Sequence, residues 1–163
     1  MKQSLKTPKE QIRFESPVGR LIVSARSGEV CAIALARSGG DEIPTVNERE
    51  PVLNQAAKEI QEYFDKKRNE FAFAMRAEGT TFQKSVWQAL LTIPHGETRT
   101  YSQIARQIEN PKGARAVGMA CNKNPIMIAV PCHRVVGAGG SLTGYAYGTG
   151  MKQSLLDLEQ RAK

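Results

Sequence analysis

The chain has 163 residues, 40% of them hydrophobic and 24% charged, and its 23 Lys+Arg against 16 Asp+Glu give a formal net charge of +7. That length and apolar content can bury a core without disulfide help, which excludes disorder as the main state. Three cysteines cannot all pair, and no run approaches the ~18 apolar residues of a bilayer span, so disulfide scaffolds and membrane functions drop out.

The N-terminal half reads as strands. Gln11–Glu15 alternates polar and apolar residues, and Leu21–Val23 and Val30–Leu35 follow, separated by the turn signal Ser27-Gly28-Glu29, so a β-meander is expected. Arg37 to Asn47, with Gly39-Gly40 and Pro44, is expected to be a loop. Asn47 then caps a helix whose apolar positions are Val52, Leu53, Ala56, Ala57, Ile60, Tyr63 and Phe64. Phe71–Met75 alternates again, as an edge strand would. Nothing in this half resembles a nucleophile or a phosphate loop.

The character changes near Glu78-Gly79, which divides the chain into an N-terminal α+β domain, 1–78, and a C-terminal domain, 79–163. Thr80 with Gln83 has the pattern of a reciprocal helix cap ahead of Phe82, Val86, Trp87, Leu90 and Leu91. Thr100 with Gln103 repeats it and opens a short helix, Tyr101 to about Ile108, with Ile104, Ala105 and Ile108 inward. The turn Glu109–Gly113 leads into a second helix, Ala114–Asn122. Two short helices on a tight turn form a helix-turn-helix candidate, against the alternative of an ordinary helical hairpin. The second helix is crowded with Ala and Gly and carries Arg115 near its start, which suits close approach to a phosphate backbone.

The charge distribution agrees with a polyanionic partner. Residues 1–80 carry 13 basic and 12 acidic groups, residues 81–163 carry 10 and 4, so nearly all of the excess lies in the second half.

After Asn124-Pro125, the apolar run Ile126–Val130 reads as a buried strand or extended segment ending at Pro131-Cys132-His133-Arg134-Val135-Val136. A cysteine between a proline and a histidine at the end of a buried segment is a candidate nucleophile, because only the thiolate attacks and something must take its proton. Only two histidines exist, His95 and His133. Neighbours in an extended chain point apart, so His133 reaches the thiol only through a turn at Cys132 or a bridging water. The imidazole also needs an acidic partner, for which Asp157 and Glu159 on a final helix buried by Leu155, Leu156 and Leu158 are the available groups. Cys31, Cys121, Cys132, His95 and His133 lack the paired spacing of a zinc module, so no metal is expected.

Pro131–Val136 resembles the active-site signature of the O6-alkylguanine-DNA alkyltransferases, the methylated-DNA–protein-cysteine methyltransferases. Phe82-Gln83-x-x-Val86-Trp87, Ile93-Pro94-x-Gly96-Glu97-Thr98, Tyr101-Ser102-x-Ile104-Ala105, Ala114–Gly118, Asn122-x-Asn124-Pro125 and Leu155-Leu156-x-x-Glu159 are similar to that family in the same order. The resemblance implies an α+β fold: a small β-meander and helix unit packed on a mostly helical, winged helix-turn-helix-like domain that carries the cysteine. It implies DNA repair by irreversible transfer of an alkyl group from O6 of a flipped guanine in duplex DNA to Cys132, with no cofactor. His133 would be linked to the thiol through water and paired with Glu159, and Asn124 would brace the turns around the cysteine. Arg115 would fill the space of the extruded base and Tyr101 would contact it. The Cys132 and Val135 carbonyls would accept from the guanine amino group. Tyr145 would wall the pocket, the Ala146 amide would donate toward O6, and Lys152 would lie behind the site.

The segment Gly144–Gly150 departs from the common family run, which leaves the width of the pocket open. Met127 stands where some members have proline. The chain is expected to act as a monomer, with cooperative assembly on DNA left open. The Met1–Ser4 start, without an apolar signal, and the free cysteines point to the cytoplasm, or to the nucleus in a eukaryotic source. A winged-helix DNA-binding module with a structural cysteine, and a thiol hydrolase, are the competing readings.

Overall fold

A computed structural model describes residues 9–36 and 43–160. The Met1–Ser4 start, the Gly39-Gly40 part of the expected loop and the last three residues lie outside the described residues. The chain divides into two compact units, residues 1–76 and 77–163.

In the first unit β1 (Glu10–Ser16), β2 (Gly19–Arg26) and β3 (Glu29–Leu35) form an antiparallel sheet in the order β1-β2-β3. This is the expected meander. Its register sets Ile12 opposite Val23 and Val23 opposite Ile33, so one face presents a continuous apolar row. Helix α1 (Pro51–Phe64) covers that row with Val52, Leu53, Ala56, Ile60 and Tyr63, all buried.

Two local expectations are corrected here. Asn47 does not cap α1: its Oδ1 accepts from the amides of Arg49 and Glu50 in a turn ahead of the helix, which starts with Pro51 in its first turn. Phe71–Met75 is not a strand either. It touches β3 only at a bridge between Val30 and Met75, because the Ala72 amide donates instead to the buried carboxylate of Glu59 (2.6 Å).

The second unit is built on helices. Thr80 closes a complete capping box with Gln83 at the start of α2 (Thr81–Leu90), and Thr100 does the same with Gln103 for α3 (Tyr101–Gln107). Helix α4 (Ala114–Asn122) packs on both α2 and α3, and the Trp87 indole donates to the Ala120 carbonyl (2.9 Å) at the centre of that contact. The α3–α4 turn needs glycine at 113, since a Cβ there would lie 2.7 Å from the Asn110 side chain. Between α4 and α5 (Thr149–Gln160) runs irregular chain that is buried from Ile126 to Val136. It supplies β5 (Val135–Val136), which pairs in parallel over two residues with β4 (Arg99–Thr100) just ahead of α3, a pairing that had no signal in the sequence.

Candidate active site

The expected strand Ile126–Val130 is a stack of tight turns. The residues are buried as an apolar strand would be, but their backbone groups close locally: Val130 N–H donates to Ile126, Ala129 N–H to Met127 and Cys132 N–H to Val130. Ile128 is driven to φ +72°, a costly conformation for a β-branched residue. Asn124 holds the stack together. Its Oδ1 accepts from Ile126 N–H (3.0 Å), while Nδ2 donates both to the Val130 carbonyl (2.8 Å) and to Cys132 Sγ (3.2 Å). The asparagine therefore braces the turns and also addresses the sulfur directly.

Cys132 opens a single 3-10 turn, Cys132–Arg134, whose last amide hydrogen bond runs from Val135 N–H back to the Cys132 carbonyl. This turn answers the geometric question posed by adjacent Cys and His, because it turns successive side chains by roughly a third of a circle rather than a half. Sγ meets Asn124, and the imidazole meets Glu159 on α5, with Nε2 2.8 Å from Oε1. His133 and Glu159 are both fully buried. Of the two acidic groups the sequence offered on α5, Glu159 is the buried one, and Asp157 bonds Gln153 at the surface. Leu158 is only half-buried, so the inward face of α5 is Lys152, Leu155, Leu156 and Glu159.

Arg134, quoted in the motif but given no role by sequence reasoning, is the largest addition. Its Nε lies 3.0 and 3.2 Å from the two Glu159 oxygens, Nη2 donates to Oε1 at 2.8 Å, and Nη1 donates to the Ile93 carbonyl at 2.7 Å. A basic residue beside a catalytic pair, in a half with four acidic groups, was the available signal.

The electrostatics follow from these contacts. Burial alone would raise the Glu159 carboxyl, but the hydrogen bonds from His133 and Arg134 outweigh it and hold the group far below the usual carboxylate range. Glu159 is thus ionised and Nε2 of His133 carries the hydrogen that points at it. Burial lowers the His133 basicity, partly offset by Glu159, and its Nδ1 is buried with no hydrogen-bond partner among the described residues. The imidazole is neutral with a free lone pair. Burial pushes the Cys132 thiol up, against which Asn124, Lys152 and Tyr145 all act. Cys121, at the end of α4, is pushed up to about 12 by burial and by its neighbour Cys132, which marks it as an inert thiol.

Of the remaining expected residues, Tyr101 and Arg115 line a groove of about 430 Å³ together with Ala114, Gly118, Met119, Asn122, Thr143 and Gly144, and Val135, Tyr145, Ala146 and Lys152 are not part of its lining. Arg115 is exposed in the first turn of α4. The Tyr101 hydroxyl donates to the Thr143 carbonyl (2.9 Å), and Lys152 Nζ reaches both that carbonyl and the hydroxyl at 3.4 Å. Lys152 is fully buried without a carboxylate contact among the described residues, and desolvation lowers its basicity. Tyr145 is buried and packs edge-on against the added aromatic, Tyr147, at 5.8 Å between ring centres. Ala146 is exposed on the turn after it, and Val135 lies in β5. Arg134 and Lys152 are therefore internal, and among the described residues the outward field of the second unit rests on Lys84, Arg99, Arg106, Lys112, Arg115 and Lys123.

Comparison with known proteins places this architecture. Residues 12–77 match the family model of the 6-O-methylguanine DNA methyltransferase ribonuclease-like domain, and residues 81–161 match that of its DNA-binding domain. The methylated-DNA–protein-cysteine methyltransferase of Methanosarcina acetivorans is 46% identical over 148 residues, covering 90% of this chain and 95% of that one. The crystal structure of Mycobacterium tuberculosis O6-methylguanine methyltransferase superposes with a TM-score of 0.85 at 38% identity, over 96% and 95% of the two chains. The M. tuberculosis enzyme in complex with DNA superposes at 0.84 with 40% identity, over 94% of each. The chain belongs to the 6-O-methylguanine DNA methyltransferase family.

Proposed function

We propose that the protein repairs DNA directly, as a methylated-DNA–protein-cysteine methyltransferase that moves the alkyl group of O6-alkylguanine onto its own Cys132. The observation that carries this reading is a buried thiol set on a turn between Asn124 and a neutral, Glu159-oriented histidine.

The chemistry balances with the groups present. The Cys132 proton passes toward Nδ1 of His133 through a bridging water, and Asn124 Nδ2 stabilises the sulfur anion that remains. The thiolate attacks the alkyl carbon in line with the C–O6 bond. That bond breaks, its electron pair stays with the purine, and the purine takes up one proton to become guanine. The thioether has no hydrolysable bond, so each molecule acts once. A buried sulfur cannot reach O6 inside a stacked duplex, which is why the base must leave the helix. Duplex DNA carrying the lesion meets the exposed side of α4, Arg115 fills the vacated stack, and Tyr101, Val135, Tyr145, Ala146 and Lys152 surround the base. The protein acts as a monomer.

Intact-protein mass spectrometry after mixing with an oligonucleotide containing O6-methylguanine tests the reading. One added methyl per chain, mapped to the peptide containing Cys132, is the expected result; an unmodified sulfur after prolonged incubation refutes it. Arg115→Ala separates binding from extrusion. Affinity for undamaged duplex should fall modestly, with about one unit lost from the salt slope if the guanidinium neutralises a phosphate. The single-turnover transfer rate should fall much further, and equal losses in the two measurements would remove Arg115 from base extrusion.

A further inference from the structure

Glu159 Oε1 receives hydrogen bonds from two side chains at once, His133 and Arg134, and Arg134 also reaches Oε2. The guanidinium has an anchor besides the carboxylate, because Nη1 is tied to the Ile93 carbonyl in the turn after α2. All three side chains are buried, with Arg134 the most accessible at 7% exposure. A buried carboxylate facing an imidazole by itself would draw a proton onto the ring, since an ion pair there is far less costly than a lone anion. An imidazolium at rest has no lone pair with which to take a proton from a thiol.

We propose that Arg134 is a positioning residue for alkyl transfer: by satisfying the charge of Glu159 it leaves the carboxylate to orient His133 without protonating it, so the ring waits as an uncharged base. This deepens the alkyl-transfer reading and rests on it for the use made of the base. The charged groups acting on His133 are Glu159 and Lys152 from α5 and Arg134 from its own turn, where the neighbouring Cys132 is a thiol that burial pushes up. Helix α2, also packed against that turn, turns Val86, Trp87, Ala89 and Leu90 inward and keeps Lys84 exposed. Both cations oppose an imidazolium, and only Glu159 favours one.

The chain holds just two histidines, so nitrogen-detected NMR titration of the free protein follows His133 directly once His95→Gln has assigned the signals. In the parent protein the His133 ring should remain neutral at pH 6.5. Arg134→Met should move its midpoint upward by about one pH unit or more, the size of shift a neighbouring charge produces. Arg134→Lys keeps the charge while losing the fork, so its midpoint should stay near the parent value, and it gives an answer even if the methionine variant fails to fold. The acid limb of the single-turnover transfer rate should move with the His133 midpoint in each folded variant. An unchanged midpoint in Arg134→Met, or a lysine variant that shifts it as far as methionine does, overturns the proposal. The titration contains no DNA, so its outcome stands apart from whether alkyl transfer occurs.

Discussion

Cys132→Ala leaves a protein that still binds duplex DNA and transfers nothing. Sγ is the sole atom of the site that can form the new bond. The neighbouring thiol of Cys121 cannot substitute for it, because burial pushes that group up to about 12 and, among the described residues, it receives no side-chain hydrogen bond like the one Asn124 gives to Cys132. The exposed face of α4 that carries Arg115, proposed to meet DNA, is separate from the buried sulfur. Affinity measured by fluorescence anisotropy should therefore stay within about twofold of the parent, the range in which substitutions remote from an interface fall, while the mass of the protein stays constant on incubation with lesion-bearing DNA. Loss of DNA binding together with transfer would show instead that Cys132 is a structural thiol. Turnover of small esters or peptides by the parent protein would favour a hydrolase.

Glu159→Gln should be the most damaging conservative change in the second unit. The amide oxygen can still accept from His133 Nε2 and Arg134 Nη2, but the amide nitrogen then faces Arg134 Nε–H, donor against donor, and the buried guanidinium loses its counter-charge. Breaking one side of a buried pair costs about 3–5 kcal/mol. Denaturant unfolding of the two proteins at neutral pH measures it. A second signature lies in acid. Because the folded-state carboxyl lies well below its ordinary 4.5, the stability it contributes is complete above that value and is lost as pH falls from there into strong acid. The glutamine variant should lack this part of the acid sensitivity, and the stability curves of the two proteins should converge as pH drops. In the variant that remains folded, alkyl transfer should slow by about 10²-fold, the scale of a lost acid–base contribution, with DNA affinity retained. Equal transfer rates would remove Glu159 from the proton relay.

The parts of the fold legible in the sequence were those where a local rule had no competitor. Thr80 with Gln83 and Thr100 with Gln103 read as capping boxes, and both are closed in the structure. The meander followed from alternation and the Ser27–Glu29 turn. Ile126–Val130 misled because burial and β-branched residues are shared by a central strand and by a buried turn. Nothing local announces that the side chain of Asn124 supplies the partners a sheet would have supplied. Phe71–Met75 failed for a similar reason, since the group that captures its backbone, Glu59, lies on a helix 13 residues earlier. Within the site, motif similarity named Cys132, His133, Glu159 and Asn124, and the structure brings all four together. Arg134 escaped because its significance depends on which carboxylate it meets, a contact spanning 25 residues.

The amide of Asn124 has an implication beyond holding a sulfur. Helix α4, the proposed DNA-facing helix, ends at Asn122, and the Asn124 N–H is bonded to the Cys121 carbonyl in its last turn (3.2 Å), while the same residue's side chain grips Cys132. Reader and reagent are thus mechanically linked through one short side chain. On that reading, a slide of the rod by about an ångström would carry the 3.2 Å contact past hydrogen-bonding range, so a poorly seated duplex would disarm the sulfur it has approached.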